Sequence, residues 1–339
     1  MKQKIKLIAV LVVLFIIIWL SIGQGSVHLS FPEIIQVIQY KLFVHSLPDN
    51  ISTNRVSIIW DIRIPRAFST YFVGAALSVS GCCMQSILQN PLASSYTLGV
   101  SSGASLGAAL VLTGIIVLPI STYILLPALG FTSGIITVLA VVLITKRLDR
   151  SLKSYTIILA GMVISLFING LLSLISAFSK DNLKQLITWQ LGSFSGKNWN
   201  HVLIIGTISI VVTGILLCYS RELDLLTFGD ETAASIGVST NKVKLQILIL
   251  TAILTGVSVC FTGVIGFVDL IVPHTVRKIF GPGHGNLIPA CWLMGGAFMM
   301  LTDTIARTTV APLELPVGAI TAILGGPFFI WIFLCKRGE

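Results

Sequence analysis

Charge is scarce in this chain. Asp, Glu, Lys and Arg make up 10% of its 339 residues, against 55% apolar residues and a mean hydropathy of +0.95. A soluble domain carries about 25% charged residues, so the scarcity excludes an ordinary soluble globular protein. Nucleotide-binding signals are missing too. No G-x-x-x-x-G-K-[ST] occurs, and the one Gly-Lys, Gly196-Lys197, is followed by Asn198, which excludes ATP binding through a P-loop. H-E-x-x-H and C-x-x-C are absent, and no nucleophile or metal constellation of a membrane-embedded enzyme is legible. The six cysteines, Cys82, Cys83, Cys218, Cys260, Cys291 and Cys335, fall in or beside apolar segments and read as small buried hydrophobes.

What the chain has instead is long apolar runs. Ten of them reach the length of about 18 residues that a bilayer core demands: 5–22, 66–88, 92–118, 123–145, 154–178, 201–219, 243–262, 264–280, 287–306 and 314–335. The first follows Lys2, Lys4 and Lys6 as in a signal peptide, but its core is long and "IWLSIGQGS" lacks an A-x-A site, so it reads as an uncleaved helix. The expectation is an all-α polytopic membrane protein with about ten transmembrane helices, a single membrane domain over residues 1–339. No stretch between the runs is large enough for a soluble domain.

The net charge of +9 fits lysines at cytoplasmic loop ends better than nucleic-acid binding. With the N-terminus inside, ten crossings return the C-terminus inside. Fourteen basic residues then lie inside: both termini, Lys146, Arg147, Arg150, Lys153, Arg221, Lys242, Lys244, Arg277 and Lys278. Eight lie outside: Lys41, Arg55, Arg63, Arg66, Lys180, Lys184, Lys197 and Arg307. Of these, Arg63, Arg66 and Arg307 cluster at outer helix ends. Arginines there either snorkel toward lipid phosphates or offer an acidic partner a planar fork for its carboxylates.

Three acidic residues border or enter apolar segments. Asp303 stands four residues before Arg307, the spacing of an intrahelical pair. Glu314 sits at a helix mouth, leaving Asp269 as the candidate an ion-coupled carrier would need. Gly99, Gly103 and Gly107 form a four-residue stripe that allows close helix packing, and Gly318, Ala322 and Gly326 repeat it. Asn90-Pro91 breaks one helix and starts the next. In the loop 220–242, Thr227 and Asp230 have capping-box spacing and Gly237 follows as a stop. This predicts a helix of about two turns outside the membrane, with Ala233, Ala234 and Ser235 on its surface.

Four stretches carry a resemblance that covers nearly the whole chain: "RIPRAFSTYFVGAALSVSGCCMQSILQNPLASSYTLGVSSGASLGAAL" (63–110), "GDETAASIGV" (229–238), "GVIGFVDLIVPHTVRKIFGPGHGNLIPA" (263–290) and "DTIARTTVAPLELPVGAITAILGGPFFIWIF" (303–333). They resemble the FecCD-like permeases, the membrane subunits of type II ABC importers for iron chelates, haem and cobalamin. The resemblance implies a permease without catalytic residues that translocates a ferric siderophore or related metal chelate across the bacterial cytoplasmic membrane. Haem and cobalamin are the alternatives, and an ion-coupled secondary carrier using Asp269 is the rival from another class.

It implies the partners as well: membrane lipid, a second permease subunit (a copy or a paralogue), two cytoplasmic ATPase subunits and an external substrate-binding protein, but no nucleic acid. ATP and Mg belong to the ATPase, and no cofactor or metal site belongs to this chain. Carried over residue by residue, Arg63, Arg66 and Arg307 match the arginines that receive the binding protein's glutamates. Reversing charge at Arg63 and Arg66 is expected to weaken docking and leave the fold intact. Gly229, Asp230, Glu231, Ala233, Ala234, Ile236 and Gly237 match the coupling helix that seats in the ATPase. Asn90, Pro91, Ser101, Ser102 and Gly103 match the border of the translocation path. Asp269 stands where the family often has glycine and receives no role. His274 after Pro273 reads as a structural hydrogen-bonder rather than a metal ligand.

Overall fold

Small residues dominate 74–86, and the structure, a computed structural model, places that stretch at the centre of the molecule. It describes residues 2–25, 27, 29–43, 51–149, 151–179 and 182–336. The expectations for Arg150, Lys180 and Arg337 lie outside the described residues, as do the side chains of Lys2, Lys4, Cys335 and Lys336.

All described elements are helical, with no strand among the described residues. In chain order they are α1 (Lys2–Gly23), α2 (Phe31–Phe43), α3 (Thr53–Ser57), a π-helical stretch (Ile58–Arg63), α4 (Ile64–Ile87), a 3-10 turn (Ser95–Leu98), α5 (Val100–Leu112), α6 (Thr122–Leu148), α7 (Ser154–Phe178), α8 (Leu183–Gln190), α9 (Trp199–Cys218), α10 (Ser220–Leu226), α11 (Asp230–Ser235), α12 (Thr240–Thr262), α13 (Val268–Phe280), α14 (His284–Thr308) and α15 (Val317–Lys336).

From α3 through α4 the chain forms one continuous 35-residue rod, with α9, α12, α13 and α14 packed around it. The close approach is possible because α4 presents small side chains. A methyl group at Gly81 would sit 1.8 Å from the carbonyl oxygen of Asp269 on α13, and one at Gly74 would meet the Gly295 carbonyl of α14 at 2.3 Å. Packing of this kind, rather than hydrophobic drive, holds helices together where lipid is as apolar as leucine.

Seven of the described helices are long and apolar enough to cross a bilayer. Two of the three runs by which this falls short of the ten expected have a local cause, and the third, 314–335, forms α15. The run 92–118 breaks at Gly99, whose φ of 81° lies in the left-handed region, so a 3-10 turn and a 13-residue α5 replace one span. The run 264–280 yields the 13-residue α13, which begins only after Gly263 and Phe267, both at positive φ. Thirteen helical residues rise about 20 Å, short of the roughly 30 Å apolar core. Such half-length helices keep their free backbone groups inside the protein, where other chain segments can meet them.

The first glycine stripe serves α5 as expected. Methyl groups at Gly103 and Gly107 would strike Thr137 and the Leu129 carbonyl of α6 at 2.2 and 2.4 Å. In the second stripe Gly318 abuts the Leu191 carbonyl, whereas Gly326 has nothing within 4 Å among the described residues. Asp303 and Arg307 do form an intrahelical pair, at 3.5 Å. Cys82, Cys83, Cys260 and Cys291 are buried free thiols, and Cys218 is exposed.

The amphipathic α2 escapes a search for apolar runs. It buries Ile34 and Val37 and opens on Glu33, whose carboxylate accepts from the backbone N–H and the hydroxyl of Ser30 at 2.8 Å each and pairs with Arg55. These hydrogen bonds, the backbone one foremost, hold the Glu33 carboxyl below its usual range.

Candidate docking pocket and coupling face

The arginine-bearing ends of α4 and α14 meet the end of α1. Arg63 donates from Nη1 to the carbonyls of Ile22, Gly23 and Gln24 at 2.9, 2.9 and 2.8 Å, and from Nη2 to Val27 at 2.5 Å. The last carbonyls of any helix lack intrahelical donors, and this guanidinium supplies them for α1. Arg66 grips Asp303 side-on, Nη2 to Oδ1 at 2.8 Å and Nε to Oδ2 at 3.1 Å, and reaches Glu314 Oε1 from Nη1 at 2.7 Å. Arg307 donates to the Ser21 carbonyl. The three arginines and Glu314 line one cavity of about 190 Å³.

The structure therefore unites Arg63, Arg66 and Arg307 in a single pocket, which agrees with their grouping from sequence. It also turns them inward: they are 6%, 8% and 8% exposed. Asp303 keeps its pairing with Arg307 and adds Arg66 as a closer partner. Reversing charge at Arg63 and Arg66 is now expected to disturb the fold rather than leave it intact, because each change would set a carboxylate against carbonyls or another carboxylate in a desolvated site.

At the opposite end, α10 and α11 form a short cap on the bundle. Lys6 near the start of α1 donates to the Ile279 carbonyl at the end of α13, placing the N-terminal part of α1 at this same end. The capping box expected from Thr227 does not form. Gly229 at φ 111° is the residue before α11 and caps without a side chain, while Thr227 donates to the Asp224 carbonyl. Gly237 ends the helix as predicted, at φ 97°, with Val238 N–H returning to the Ala233 carbonyl at 3.1 Å.

Glu231, Ala234, Ser235, Ile236 and Gly237 are exposed, but Ala233 is fully buried. A helix of six residues must anchor one face, and Ala233 is on that face. Ile236, which the sequence reading named, is 62% exposed; the reading missed Phe228, which is 75% exposed. An aromatic residue directly before a glycine cap in a polar loop was its available signal. Asp230 fastens the helix through Lys244 Nζ at 2.5 Å, and Gln89 Nε2 donates to the Leu226 carbonyl at 3.1 Å.

The path candidates divide. Asn90 closes an Asx turn onto Leu92 N–H at 2.9 Å, and Pro91 is exposed beside it. Ser101 and Ser102 are half-buried in the first turn of α5. Gly103 faces α6 and is a packing residue. Residues 99–103 also spell G-x-S-x-G, a nucleophile elbow only between a strand and a helix. Here it opens a helix after a 3-10 turn, which excludes that role. Asp269 is buried, accepts from the Ser94 hydroxyl, and gives its backbone carbonyl to Gln85 Nε2 at 3.3 Å. His274 meets Phe328 edge-on at 6.3 Å.

A membrane bundle with an arginine pocket at one end and a short, part-exposed helix at the other suits a transporter subunit that works between two partners. Residues 12–335 match the FecCD transport family. The chain belongs to that family. Among its relatives, the ABC transporter permease protein YvrB of Bacillus subtilis is 38% identical over 93% of this chain and 89% of its own. The hemin transport system permease protein HmuU of Yersinia pestis is 37% identical over 86% and 87%. A solved metal-chelate type ABC transporter in an inward-facing conformation superposes with a TM-score of 0.81 at 28% identity, over 96% of this chain and 97% of that one. This FecCD-family chain is thus a multi-pass permease of the cytoplasmic membrane, a transport subunit of the metal-chelate type ABC importers and not an enzyme.

Proposed function

We propose that this permease carries a ferric chelate inward, a siderophore in the first instance, as half of a permease dimer served by two ATPase subunits and an external binding protein. The observation that carries the reading is its two-ended construction. A pocket of three arginines and Glu314 lies at one end, and the exposed Phe228 and Ile236, which flank α11, lie at the other.

At the outer end Arg66 and Arg307 are the residues to meet the binding protein's carboxylates, with Arg63 as the brace that holds α1 against them. Planar guanidinium–carboxylate pairing supplies orientation and association rate more than raw affinity. At the inner end Phe228 and Ile236 are the apolar anchors for a groove on the ATPase, in the helix-in-groove manner. ATP-driven closure of the ATPase pair then moves α11 and, through it, the bundle, opening the path alternately to each side.

Relatedness to a hemin permease and to a metal-chelate transporter supports an iron complex as cargo. The described residues bring no three of His, Cys, Asp and Glu together as metal ligands, which suits a metal that stays wrapped in its chelator. Uptake of ⁵⁵Fe supplied as a hydroxamate chelate, compared with and without this gene, tests the cargo. Loss of uptake on deletion supports the siderophore. Unchanged uptake with loss of growth on hemin replaces it with haem.

A further inference from the structure

His284 is the first residue of α14, buried to 1% exposure between Gly283 and Gly285. Its backbone N–H and ring Nδ1 both reach Asp224 Oδ1 on α10, at 2.8 and 2.5 Å. Its other nitrogen, Nε2, lies 2.7 Å from the hydroxyl of Ser86 in the last turn of α4. With Nδ1–H donating to the carboxylate, Nε2 accepts from Ser86, so one imidazole closes a bridge from α10 through α14 to α4.

The bridge differs from the other fastening of this region. Lys244 Nζ ties Asp230 of α11 to α12 and also reaches the Leu152 carbonyl at 3.4 Å, but it has no hold on α4. Gln89 touches α10 from the loop after α4. Among the described hydrogen bonds, the one that links α10 to the last turn of α4 runs through His284, beside the direct packing of Leu223 and Leu226 in the buried cluster that holds Ile87. Three helix ends meet on one rigid ring, where a long flexible side chain would leave play.

We propose that His284 is a positioning residue for coupling: through Asp224 and Ser86 it makes α10–α11 and the near end of α4 move as one body. Displacement of α11 is thereby delivered to the rod whose opposite end builds the arginine pocket, giving the two partner sites a common mechanical element. The inference rests on the reading of α10–α11 as the ATPase contact.

The test uses the permease reconstituted in nanodiscs with its ATPase and binding protein, reading basal ATP hydrolysis, its stimulation by the binding protein, and retention of the ATPase on the permease. His284→Ala is expected to keep the ATPase bound and basal hydrolysis near wild type while losing roughly fivefold or more of the stimulation, the scale of a site-to-site coupling energy. His284→Gln, which can still donate to Asp224, recovers part of it. Asp224→Asn combined with His284→Ala is no worse than His284→Ala alone, because one bridge is broken once. Full stimulation in His284→Ala overturns the proposal. A parallel fall of stimulation, basal hydrolysis and ATPase retention also overturns it, since that marks structural support only. The underlying reading fails separately, if Phe228→Asp leaves ATPase retention unchanged.

Discussion

Arg66 on α4 and Asp303 on α14 form a side-on pair, 2.8 Å at the closest atoms, with the carboxylate fully buried. Glu314 completes the arrangement from outside. Two helices that pack along their length are thereby pinned at one end by charge. The pocket is left with three guanidinium groups against two carboxylates, an excess that attracts a further anion.

Breaking the pair should cost more than deleting it. Asp303→Ala leaves Arg66 and Arg307 short of a buried counter-charge and is expected to destabilise by about 3–5 kcal/mol, whereas Arg66→Met with Asp303→Leu costs less. Thermal unfolding of the detergent-purified permease, run as a double-mutant cycle, decides it. Equal losses in the single and double variants would contradict the charge argument.

Glu314 occupies the Nη1 side of Arg66 that an incoming carboxylate needs. Being part-exposed, the Glu314 pair contributes about 0–1 kcal/mol. Glu314→Gln is therefore expected to tighten binding-protein docking up to about fivefold, with little change in melting temperature. Surface plasmon resonance on nanodisc-held permease measures it, and weaker docking would show that Glu314 belongs to the docking surface instead.

On the α10–α11 face, Phe228→Ala should weaken ATPase attachment about tenfold or more, the loss typical of a large apolar anchor at an interface centre. Permease melting stays the same, because the side chain is exposed in the free chain. Co-purification at graded ATPase concentrations reads the effect.

Lys197, between α8 and α9, is half-buried. Burial foremost, with Arg66 adding repulsion, lowers its pKa to about 8 from the ordinary 10.5. The unfolded chain then binds the extra proton between about pH 8 and 10.5, so this group's contribution to stability rises with pH across that window. Lys197→Met is expected to raise the melting temperature at pH 7.5 and to flatten its rise toward pH 9.5. An unchanged pH slope would remove Lys197 as the cause.

Gly81 leaves no room for a side chain against α13. Gly81→Ala should cost about 1–3 kcal/mol through backbone displacement, and the shift should appear as lower yield and melting temperature. Wild-type behaviour would mean that α4 and α13 separate easily.

Much was legible in one dimension. The apolar runs announced a helical membrane protein, and the positions of Arg63, Arg66 and Arg307 at run ends marked them before any contact was known. Gly237 marked the end of α11 because glycine reaches left-handed conformations at little cost, whereas its start, read from Thr227, is set by Gly229. The amphipathic α2 and the half-length α5 and α13 were not legible, since run length records apolarity and not where the chain turns inside the bundle.

The pairings were beyond sequence altogether. Arg66 and Asp303 are 237 residues apart, and Asp224 and His284 are 60 apart. Composition and periodicity determined that charges would be few and that those within the membrane would need partners, because a lone charge in a low-dielectric interior is too costly. Which partner each one takes depends on how the rods pack. Only the tertiary structure, by bringing α4 against α14 and α10 beneath both, decided that.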